Sequence, residues 1–319
     1  MIRIHGYENF TPETDTAVVV GKFDCIHRGH DAILKKIIAQ KKRGLTAVVF
    51  TFEESPRFVL QKGKKDGSVQ KNLLTNEERA LLLSEKGVDV LIECPFDDAL
   101  RHMEPEAFLQ LLSEKLCMKY ISVTDGFRYG YRGRGDVALL KDMASKLGYE
   151  VEIVPPEETE DQQRISSTLI RSLISEGSIE KANLLLGYQY FIKNKIVHGM
   201  RIGSSRLKVP TVNMIPPSDK LLPPNGAYIT EIGLSGRTFY GISDIGTKPT
   251  VRRIHPSVGV ETHIFDFDED VYDRTAVVRF LKFLRPETRF ESFEALGEQI
   301  ALDKKHAEEY LRCYKNVTK

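Results

Sequence analysis

The sequence predicts an α/β protein of two folded units: a doubly wound parallel sheet first, then a small antiparallel β-barrel with a C-terminal helix. Two observations carry this prediction. The chain has 319 residues, whereas a single domain typically has roughly 100–200. Its pattern also changes after Gly187, from strands alternating with helices to short β-rich runs broken by glycine and proline. We place the boundary between the units at 184/185, giving domains 1–184 and 185–319.

The first unit is a repeated strand–helix pattern. Nearly continuous apolar strands that are separated by helices predict a parallel sheet covered on both faces, with right-handed crossovers. Ligands of such sheets bind beyond the carboxyl ends of the strands, where the strand order reverses. The predicted strands are Thr16–Val20, Thr46–Phe52, Val88–Glu93, Tyr120–Thr124 and Glu150–Val154, and the predicted helices lie near Asp31–Lys42, Asn76–Lys86, Glu104–Leu116 and Val137–Leu147.

The second pattern follows two short helices predicted within 166–186. Several short strands with turn signals between them are typical of a small antiparallel barrel. An amphipathic helix is predicted over Ser292–Cys313, with Ser292 as its N-cap. The predicted barrel strands are Tyr190–Val197, Tyr228–Leu234, Thr238–Ile245, Val260–Asp266 and Ala276–Phe283.

Composition argues for small, locally recognised ligands. The 46 Lys and Arg residues balance 45 Asp and Glu residues, a net charge of +1, so no global field draws the chain to nucleic acid or to a membrane. No stretch approaches the roughly 20 apolar residues of a spanning helix, and the start lacks a secretory pattern, which predicts the cytoplasm. The cysteines form no CxxC pair and are predicted to be reduced thiols: Cys25, Cys94, Cys117 and Cys313.

The run Gly-Lys-Phe-Asp-Cys-Ile-His-Arg-Gly-His, residues 21–30, follows the first strand and leads into a helix. Backbone N–H groups at a helix start, with imidazoles of His27 and His30, are suited to stabilise charge on a nucleotide α-phosphate. Gly29 lets the backbone approach the phosphates closely. The alternatives are a pair of surface histidines, or an incidental metal site that includes Asp24.

A second candidate motif, Ile-Ser-Ser-Thr-Leu-Ile-Arg, occupies residues 165–171 and begins a helix. Hydroxyl groups at a helix start either cap the helix or point, together with Arg171, at the β- and γ-phosphates of a nucleotide. The motif alone leaves both interpretations open.

With Phe-Arg-Tyr-Gly-Tyr-Arg-Gly-Arg-Gly-Asp at 127–136 between them, these motifs resemble the adenylyltransferase module of the bacterial bifunctional riboflavin kinase/FAD synthetases. That Rossmann-like module belongs to the nucleotidylyltransferase superfamily. The resemblance implies that FMN and ATP give FAD and pyrophosphate, with Mg²⁺ neutralising charge. It implies catalytic roles for His27, His30 and Arg171, ATP contacts for Gly21, Phe23, Asp24, Gly29, Ser167 and Thr168, and flavin contacts for Gly126 and Phe127.

The first module departs from the family pattern at three places. The family usually has glycine in place of Cys25, and Pro-His-Pro where this chain has Glu-Ser-Pro at 54–56. It also has Asp or Asn at the position of Gly126, with Asp125 one place earlier here. These departures keep open a kinase whose adenylyltransferase module is degenerate.

The second half is similar to the riboflavin kinase module, from Gly187 to Ala307. The landmarks, in family order, are His-Gly-Met-Arg-Ile-Gly at 198–203, Pro-Thr-Val-Asn at 210–213, Asn-Gly-Ala-Tyr at 225–228, Asp-Ile-Gly-Thr-Lys-Pro-Thr at 244–250, Glu-Thr-His-Ile at 261–264 and Arg-Pro-Glu at 285–287. The resemblance implies a phosphate cradle at Gly199 and Gly203, a proton-accepting Glu261, and a flavin contact at Arg285.

Thr211 and Asn213 are candidate Mg²⁺ ligands, because their oxygens suit a hard cation and residues two apart on an extended strand face the same side. The alternatives are an ordinary turn at this segment and a solvated strand carboxylate at Glu261. The loop before Pro210 is one residue longer than in the family and carries Lys208 and Val209.

The sequence therefore predicts a transferase with two activities: riboflavin phosphorylation to FMN, and FMN adenylylation to FAD. Its expected ligands are riboflavin, FMN, ATP and Mg²⁺, with neither nucleic acid nor membrane as partner. Two alternatives stay open at this point, namely a riboflavin kinase with an inactive first module and a flavin-binding regulatory protein.

Overall fold

The computed structural model describes residues 1–53, 70–197, 211–248, 257–288 and 290–317. The chain forms two compact units, Met1–Ser167 and Thr168–Lys319, which are described separately below.

The first unit is a six-stranded sheet with helices in its connections. All its strand pairs are parallel, in the order β1-β4-β3-β2-β5-β6, which confirms the predicted doubly wound sheet. Its elements are β1 (Ile2–His5), β2 (Thr16–Val20), α1 (Arg28–Ala39), β3 (Thr46–Phe52), α2 (Asn76–Glu85), β4 (Val90–Cys94), α3 (Asp98–Arg101), α4 (Pro105–Lys115), β5 (Met118–Thr124), α5 (Val137–Leu147) and β6 (Glu150–Val154).

Strand order places the switch point beside β2. From β2 the chain proceeds through β3 and β4 on one side, and later adds β5 and β6 on the other. The loops that follow β2 and β5 therefore flank the position where a ligand is expected in an open parallel sheet. One of these loops carries residues 21–27, and the other begins at Asp125.

Burial explains why the central strands were visible in the sequence. All five residues of β2 are buried, and so are all five of β4, as expected for strands covered on both faces. The edge strand β1, which pairs with β4, was not predicted. Ile2 and His5 are exposed and the two residues between them are half-buried. Apolar side chains alternate with charged or polar ones, so β1 lacks the continuous apolar run of a central strand.

The second unit is a six-stranded antiparallel sheet in the order β7-β12-β9-β10-β11-β8. The two ends of this order approach each other, since the Val197 amide donates to the Asn213 carbonyl at 2.8 Å; this contact confirms the predicted barrel. Its elements are α6 (Ser167–Ser175, which begins at the last residue of the first unit), α7 (Ile179–Leu186), β7 (Phe191–Lys195), β8 (Thr211–Met214), β9 (Gly226–Leu234), β10 (Arg237–Lys248), β11 (Ser257–Ile264), β12 (Thr275–Pro286) and α8 (Phe293–Val317).

The C-terminal helix packs on the barrel. Ala307 and Leu311 of α8 are buried against Ile229 and Leu281, and the Ser292 hydroxyl accepts the Ala295 amide at 3.1 Å. The predicted amphipathic helix and its cap are thereby confirmed. Among the described residues, the helices include none with the length and apolar character needed to cross a bilayer.

A chain of three hydroxyls lies buried in the barrel. Ser243 Oγ is 2.9 Å from Thr230 Oγ1 and 2.8 Å from Thr262 Oγ1. All three residues are at most 1% exposed. Because a buried polar group has no water to replace a lost partner, the chain is costly to interrupt.

Replacing Ser243 with alanine is expected to lower the free energy of unfolding by about 1–3 kcal/mol, because Thr262 loses a partner in a buried site. Urea denaturation measures this change. Thr238→Ala on the exposed part of the same strand is the control, and it should change stability by less than about 0.5 kcal/mol. Equal effects of the two substitutions would show that the hydroxyl chain contributes nothing.

Candidate active sites

The His-x-Gly-His motif forms the start of α1. His27 is the N-cap residue, and its carbonyl accepts the Asp31 amide at 2.9 Å. The first-turn amides of α1 have no partner within the helix, and the positive end of the helix dipole lies here. The helix begins three residues earlier than Asp31, so Gly29 and His30 belong to its first turn.

The two imidazole rings lie together, with centroids 4.0 Å apart. The ring of Phe23 lies 5.1 Å from that of His30. The Nδ1 atoms of both histidines are buried and make no hydrogen bond within the described part of the chain. The motif therefore gathers two imidazoles with unused polar atoms at a helix N-terminus.

Burial and neighbouring charge keep both imidazoles neutral at pH 7. Desolvation, reinforced by the positive charge of Arg164, lowers the pKa of His27 to about 4. Desolvation and the proximity of His27 lower the pKa of His30 well below its ordinary value, against the effect of a hydrogen bond with the Cys25 backbone. A neutral imidazole keeps one N–H donor that can reach a phosphate oxygen. In His30 this donor is engaged with the Cys25 backbone, so donation to a phosphate requires it to leave that partner.

The residues before the motif are held in a constrained turn. Phe23 is fully buried and has φ 45°, a left-handed conformation that is uncommon for a non-glycine residue. The carboxylate of Asp24 accepts the Leu73 amide at 3.2 Å and lies 3.7 Å from Lys22 Nζ. A Cβ at Gly21 would lie 3.0 Å from the Phe23 ring. The packing of the Phe23 ring in this turn therefore explains why position 21 is a glycine.

Gly29 is required by close approach. A Cβ at this position would lie 3.1 Å from the His27 ring, which is tighter than ordinary packing. Next to Gly29, the side chains of Arg28 and Glu157 form an ion pair at 3.3 Å. The backbone amide of Ile165 donates to the Glu157 carbonyl. Segment 157–165 is thereby fixed next to the histidines.

Arg164 is a residue of the first site that the sequence analysis missed. It lies directly before the Ile165–Arg171 motif, and its charge acts on His27. Its guanidinium nitrogens lie 3.7 and 3.8 Å from where a Cβ at Gly126 would stand, and 3.7 Å from Asp125. The signal in the sequence was an arginine next to a predicted phosphate motif, but only the fold shows that it faces the histidines.

The other predicted residues of the first module are placed as follows. Phe127 stacks on Tyr129, with ring centroids 5.3 Å apart, and packs against the core, whereas Gly126 is exposed after β5. Ser167 lies in the first unit, with its Oγ 3.4 Å from the Cys25 sulfur. Thr168 and Arg171 follow along α6 and belong to the second unit; their phosphate contacts stay predictions.

In the barrel, the predicted kinase residues share one face. The Thr211 hydroxyl donates to Glu261 Oε1 at 2.7 Å, and Asn213 lies directly opposite Glu261 in the pairing of β8 with β11. All three are half-buried, while their strand neighbours Val212 and Thr262 are buried in the interior. The period-two alternation of the strands therefore brings these three polar groups together on the solvent-accessible face.

Asp244 extends this cluster on the other side. It lies opposite Glu261 in the pairing of β10 with β11. The sequence analysis included Asp244 in a landmark but assigned it no role, because cross-strand register is not visible in the sequence. Hydroxyl, amide and carboxylate oxygens are the ligands that Mg²⁺ prefers, so Thr211, Asn213, Glu261 and Asp244 fit this cation.

Arg285 is engaged by an ion pair: its guanidinium donates to Asp303 at 2.8 to 3.2 Å. Asp303 therefore holds the Arg285 side chain in place, and its flavin contact stays a prediction. Gly199 and Gly203, the altered loop 204–209 and the Glu54–Pro56 departure lie outside the described residues.

Comparisons with known proteins match both halves of the chain. The family model for FAD synthetase matches residues 10–169, and the family model for riboflavin kinase matches residues 186–311. The bifunctional riboflavin kinase/FMN adenylyltransferase of Bacillus subtilis is 31% identical over 96% of this chain and 95% of its own length. The protein of the same name from Escherichia coli K12 is 32% identical over 96% of this chain and 97% of its own.

A solved structure supports the fold independently. The crystal structure described as a macrolide-efflux protein from Streptococcus pneumoniae has a TM-score of 0.84 and 28% sequence identity. The match covers 96% of this chain and 98% of that one. On these sequence matches, the chain belongs to the bifunctional riboflavin kinase/FMN adenylyltransferase family.

Proposed function

We propose that this protein converts riboflavin to FMN in domain 185–319, and FMN to FAD in domain 1–184, using ATP in both reactions. The observation that supports the proposal is that each half of this family member gathers a cluster of polar side chains that is chemically suited to phosphate transfer. One set is the histidine pair at the start of α1, and the other is the cluster of Thr211, Asn213 and Glu261.

In the adenylyl transfer, an oxygen of the FMN phosphate attacks the α-phosphorus of ATP, and pyrophosphate leaves. The chain contributes hydrogen-bond donors rather than a nucleophile. The N–H groups of neutral His27 and His30, with the first-turn amides of α1, stabilise the negative charge that builds on the α-phosphate. Ser167, Thr168 and Arg171 are proposed as further phosphate contacts.

In the phosphoryl transfer, Glu261 accepts the proton of the primary hydroxyl of riboflavin as its oxygen attacks the γ-phosphorus, and ADP leaves. The Thr211 hydroxyl donates to Glu261 and so orients the carboxylate. When bound, Mg²⁺ would neutralise phosphate charge, and Thr211, Asn213 and Asp244 are the residues that would hold it. We propose Gly199 and Gly203 as the phosphate cradle on their family motif alone.

We also propose that the protein acts in the cytoplasm. The four cysteines form no disulfide, which is the state expected of a chain in a reducing compartment.

Arg164→Gln tests the electrostatics of the first site. Removing this positive charge is expected to raise the pKa of His27 above about 4. We also propose that Arg164 contacts a phosphate of ATP, so its loss should raise the KM for ATP roughly tenfold. An NMR titration of His27 and steady-state kinetics measure the two effects. Arg134→Gln, which removes a cation paired with Glu104, is the control. An unchanged His27 pKa would contradict the electrostatic effect of Arg164, and an unchanged KM for ATP would exclude its contact with phosphate.

The two half-reactions test the function separately. With FMN and ATP as substrates, we expect FAD and pyrophosphate; with riboflavin and ATP, we expect FMN and ADP. FMN formation without FAD formation would favour a kinase with a degenerate first module. Tight flavin binding without either product would favour a regulatory protein.

A further inference from the structure

The turn that carries the histidines also carries a third metal-binding side chain. Cys25, His27 and His30 each offer one ligand atom, and these atoms lie within 4.8 Å of one another. Cys25 is fully buried, and His27 is 8% exposed. This spacing brings one sulfur and two imidazole nitrogens to one point of the first unit.

This donor set selects a particular class of cation. One thiolate with two imidazoles suits Zn²⁺, which binds cysteine sulfur at about 2.3 Å and histidine nitrogen at about 2.0–2.1 Å in tetrahedral geometry. Such bond lengths put neighbouring ligand atoms roughly 3.5 Å apart. Since the ligand atoms here lie within 4.8 Å of one another, an approach of at most about 1.3 Å completes the set. Three protein ligands leave the fourth position open.

A second observation points to a ligand at this place. The Nδ1 atoms of His27 and His30 are both buried and lack a hydrogen-bond partner among the described residues. A buried polar atom without a partner is costly, and it calls for an explanation such as an absent ion. A bound cation at the shared site would give these buried nitrogens a partner and fix the orientation of both rings, with His30 also held by its hydrogen bond with the Cys25 backbone.

Asp24, the alternative third ligand, does not complete the site. Its carboxylate accepts the Leu73 amide and lies near Lys22, and it is not among the atoms that converge. The third ligand beside the two histidines is therefore Cys25 and not the carboxylate of Asp24.

We propose that Cys25, His27 and His30 bind Zn²⁺, and that the bound metal blocks adenylyl transfer. The Cys25 thiol loses its proton to water as the sulfur–metal bond forms, and each histidine uses a nitrogen lone pair. Imidazoles that are held by the metal no longer lie where they donate to the α-phosphate. The inhibition rests on the proposed adenylyl transfer, whereas metal binding does not. The candidate kinase ligands Thr211, Asn213, Glu261 and Asp244 offer oxygen atoms and no thiolate, so riboflavin phosphorylation is expected to be spared.

Cobalt substitution tests the binding directly. Titration of the full-length protein with Co²⁺ should produce one equivalent of tetrahedral d–d absorption, together with a thiolate-to-cobalt charge-transfer band that Zn²⁺ abolishes. The charge-transfer band should be lost in Cys25→Ser and in Cys25→Ala, and retained in the matched control Cys117→Ser. Near-ultraviolet circular dichroism checks that each variant is folded. A wild-type spectrum without the thiolate band would overturn the proposal, as would an unchanged band in both Cys25 variants.

Zinc inhibition gives the second readout. In zinc-buffered assays, Zn²⁺ should inhibit FAD formation from FMN but not FMN formation from riboflavin. In Cys25→Ser, half-inhibition should require at least about tenfold more Zn²⁺. Equal inhibition of the two variants Cys25→Ser and Cys117→Ser would contradict the proposed role of Cys25. A cobalt–thiolate band in a protein that forms no FAD would support the metal site and refute the adenylyl transfer, so the two failures are distinguishable.

Discussion

Glu261→Gln is expected to lower FMN formation from riboflavin and ATP by about 10²–10⁴-fold, the usual contribution of a positioned general base. The amide is isosteric with the carboxylate, and its oxygen can still accept the hydrogen bond of Thr211. The proton-accepting capacity is lost, while the packing of β8 against β11 is retained. Steady-state rates of FMN formation measure the effect.

Two controls separate this loss from damage to the fold. Glu231→Gln on β9 removes another half-buried barrel carboxylate, one that lies 3.5 Å from Arg279, and should keep near-normal kinase turnover. FAD formation from FMN should also persist in Glu261→Gln, because the histidine pair belongs to the other unit. Near-normal FMN formation in Glu261→Gln would remove Glu261 from the mechanism.

His30→Ala is expected to lower FAD formation from FMN and ATP by about 10²–10³-fold, comparable to the loss of one oxyanion-hole donor. His30 stands in the first turn of α1 with its ring against His27 and Phe23. Removing the ring deletes a donor aimed at developing charge, so kcat should fall more than the KM for ATP rises.

Because His30 also packs against aromatic rings, a second substitution separates chemistry from packing. His30→Asn retains an N–H donor and should recover part of the lost rate, whereas His102→Ala, at an exposed position after α3, should have no effect. Riboflavin phosphorylation should stay intact in all three variants. Parallel loss of both activities in His30→Ala would argue against independently working modules.

The central elements of the fold were predictable because buried strands and helices have apolar residues in recognisable runs or periods. The bounds of β2, β3, α5 and β6 agree with those predicted from apolar runs and helical periodicity. The strands β1 and β8 were missed, since each has only four residues, too few to establish a period. Strand β8 carries Thr211 and Asn213, which the family motif identified without identifying a strand.

The site was only partly predictable, because register and tertiary approach bring distant residues together. Asp244 lies opposite Glu261 through strand pairing, and the charge of Arg164 acts on His27 because segment 157–165 lies beside the start of α1. Neither contact has a local signature. The module boundary at 184/185 stays a prediction, whereas the structural units divide at Ser167/Thr168. Helices α6 and α7 therefore belong mostly to the barrel unit in the structure, and mostly to the first domain in the prediction.

The departure at Cys25 acquires a meaning only from geometry. In the sequence it is a cysteine where the family usually has glycine, with no CxxC partner. In the fold its sulfur belongs to a converging group with His27 and His30. In the sequence, Cys25 suggested a weakened adenylyltransferase. With the structure, it suggests an adenylyltransferase that Zn²⁺ inhibits.

The most direct test of the two-activity account is a time course with purified protein, riboflavin, ATP and Mg²⁺ in one vessel, with products separated by chromatography and a chelator of Zn²⁺ that spares Mg²⁺ present throughout. The account predicts that FMN appears first and then declines as FAD accumulates, with two ATP consumed per FAD. FMN that accumulates without FAD, or the absence of both products, would contradict it.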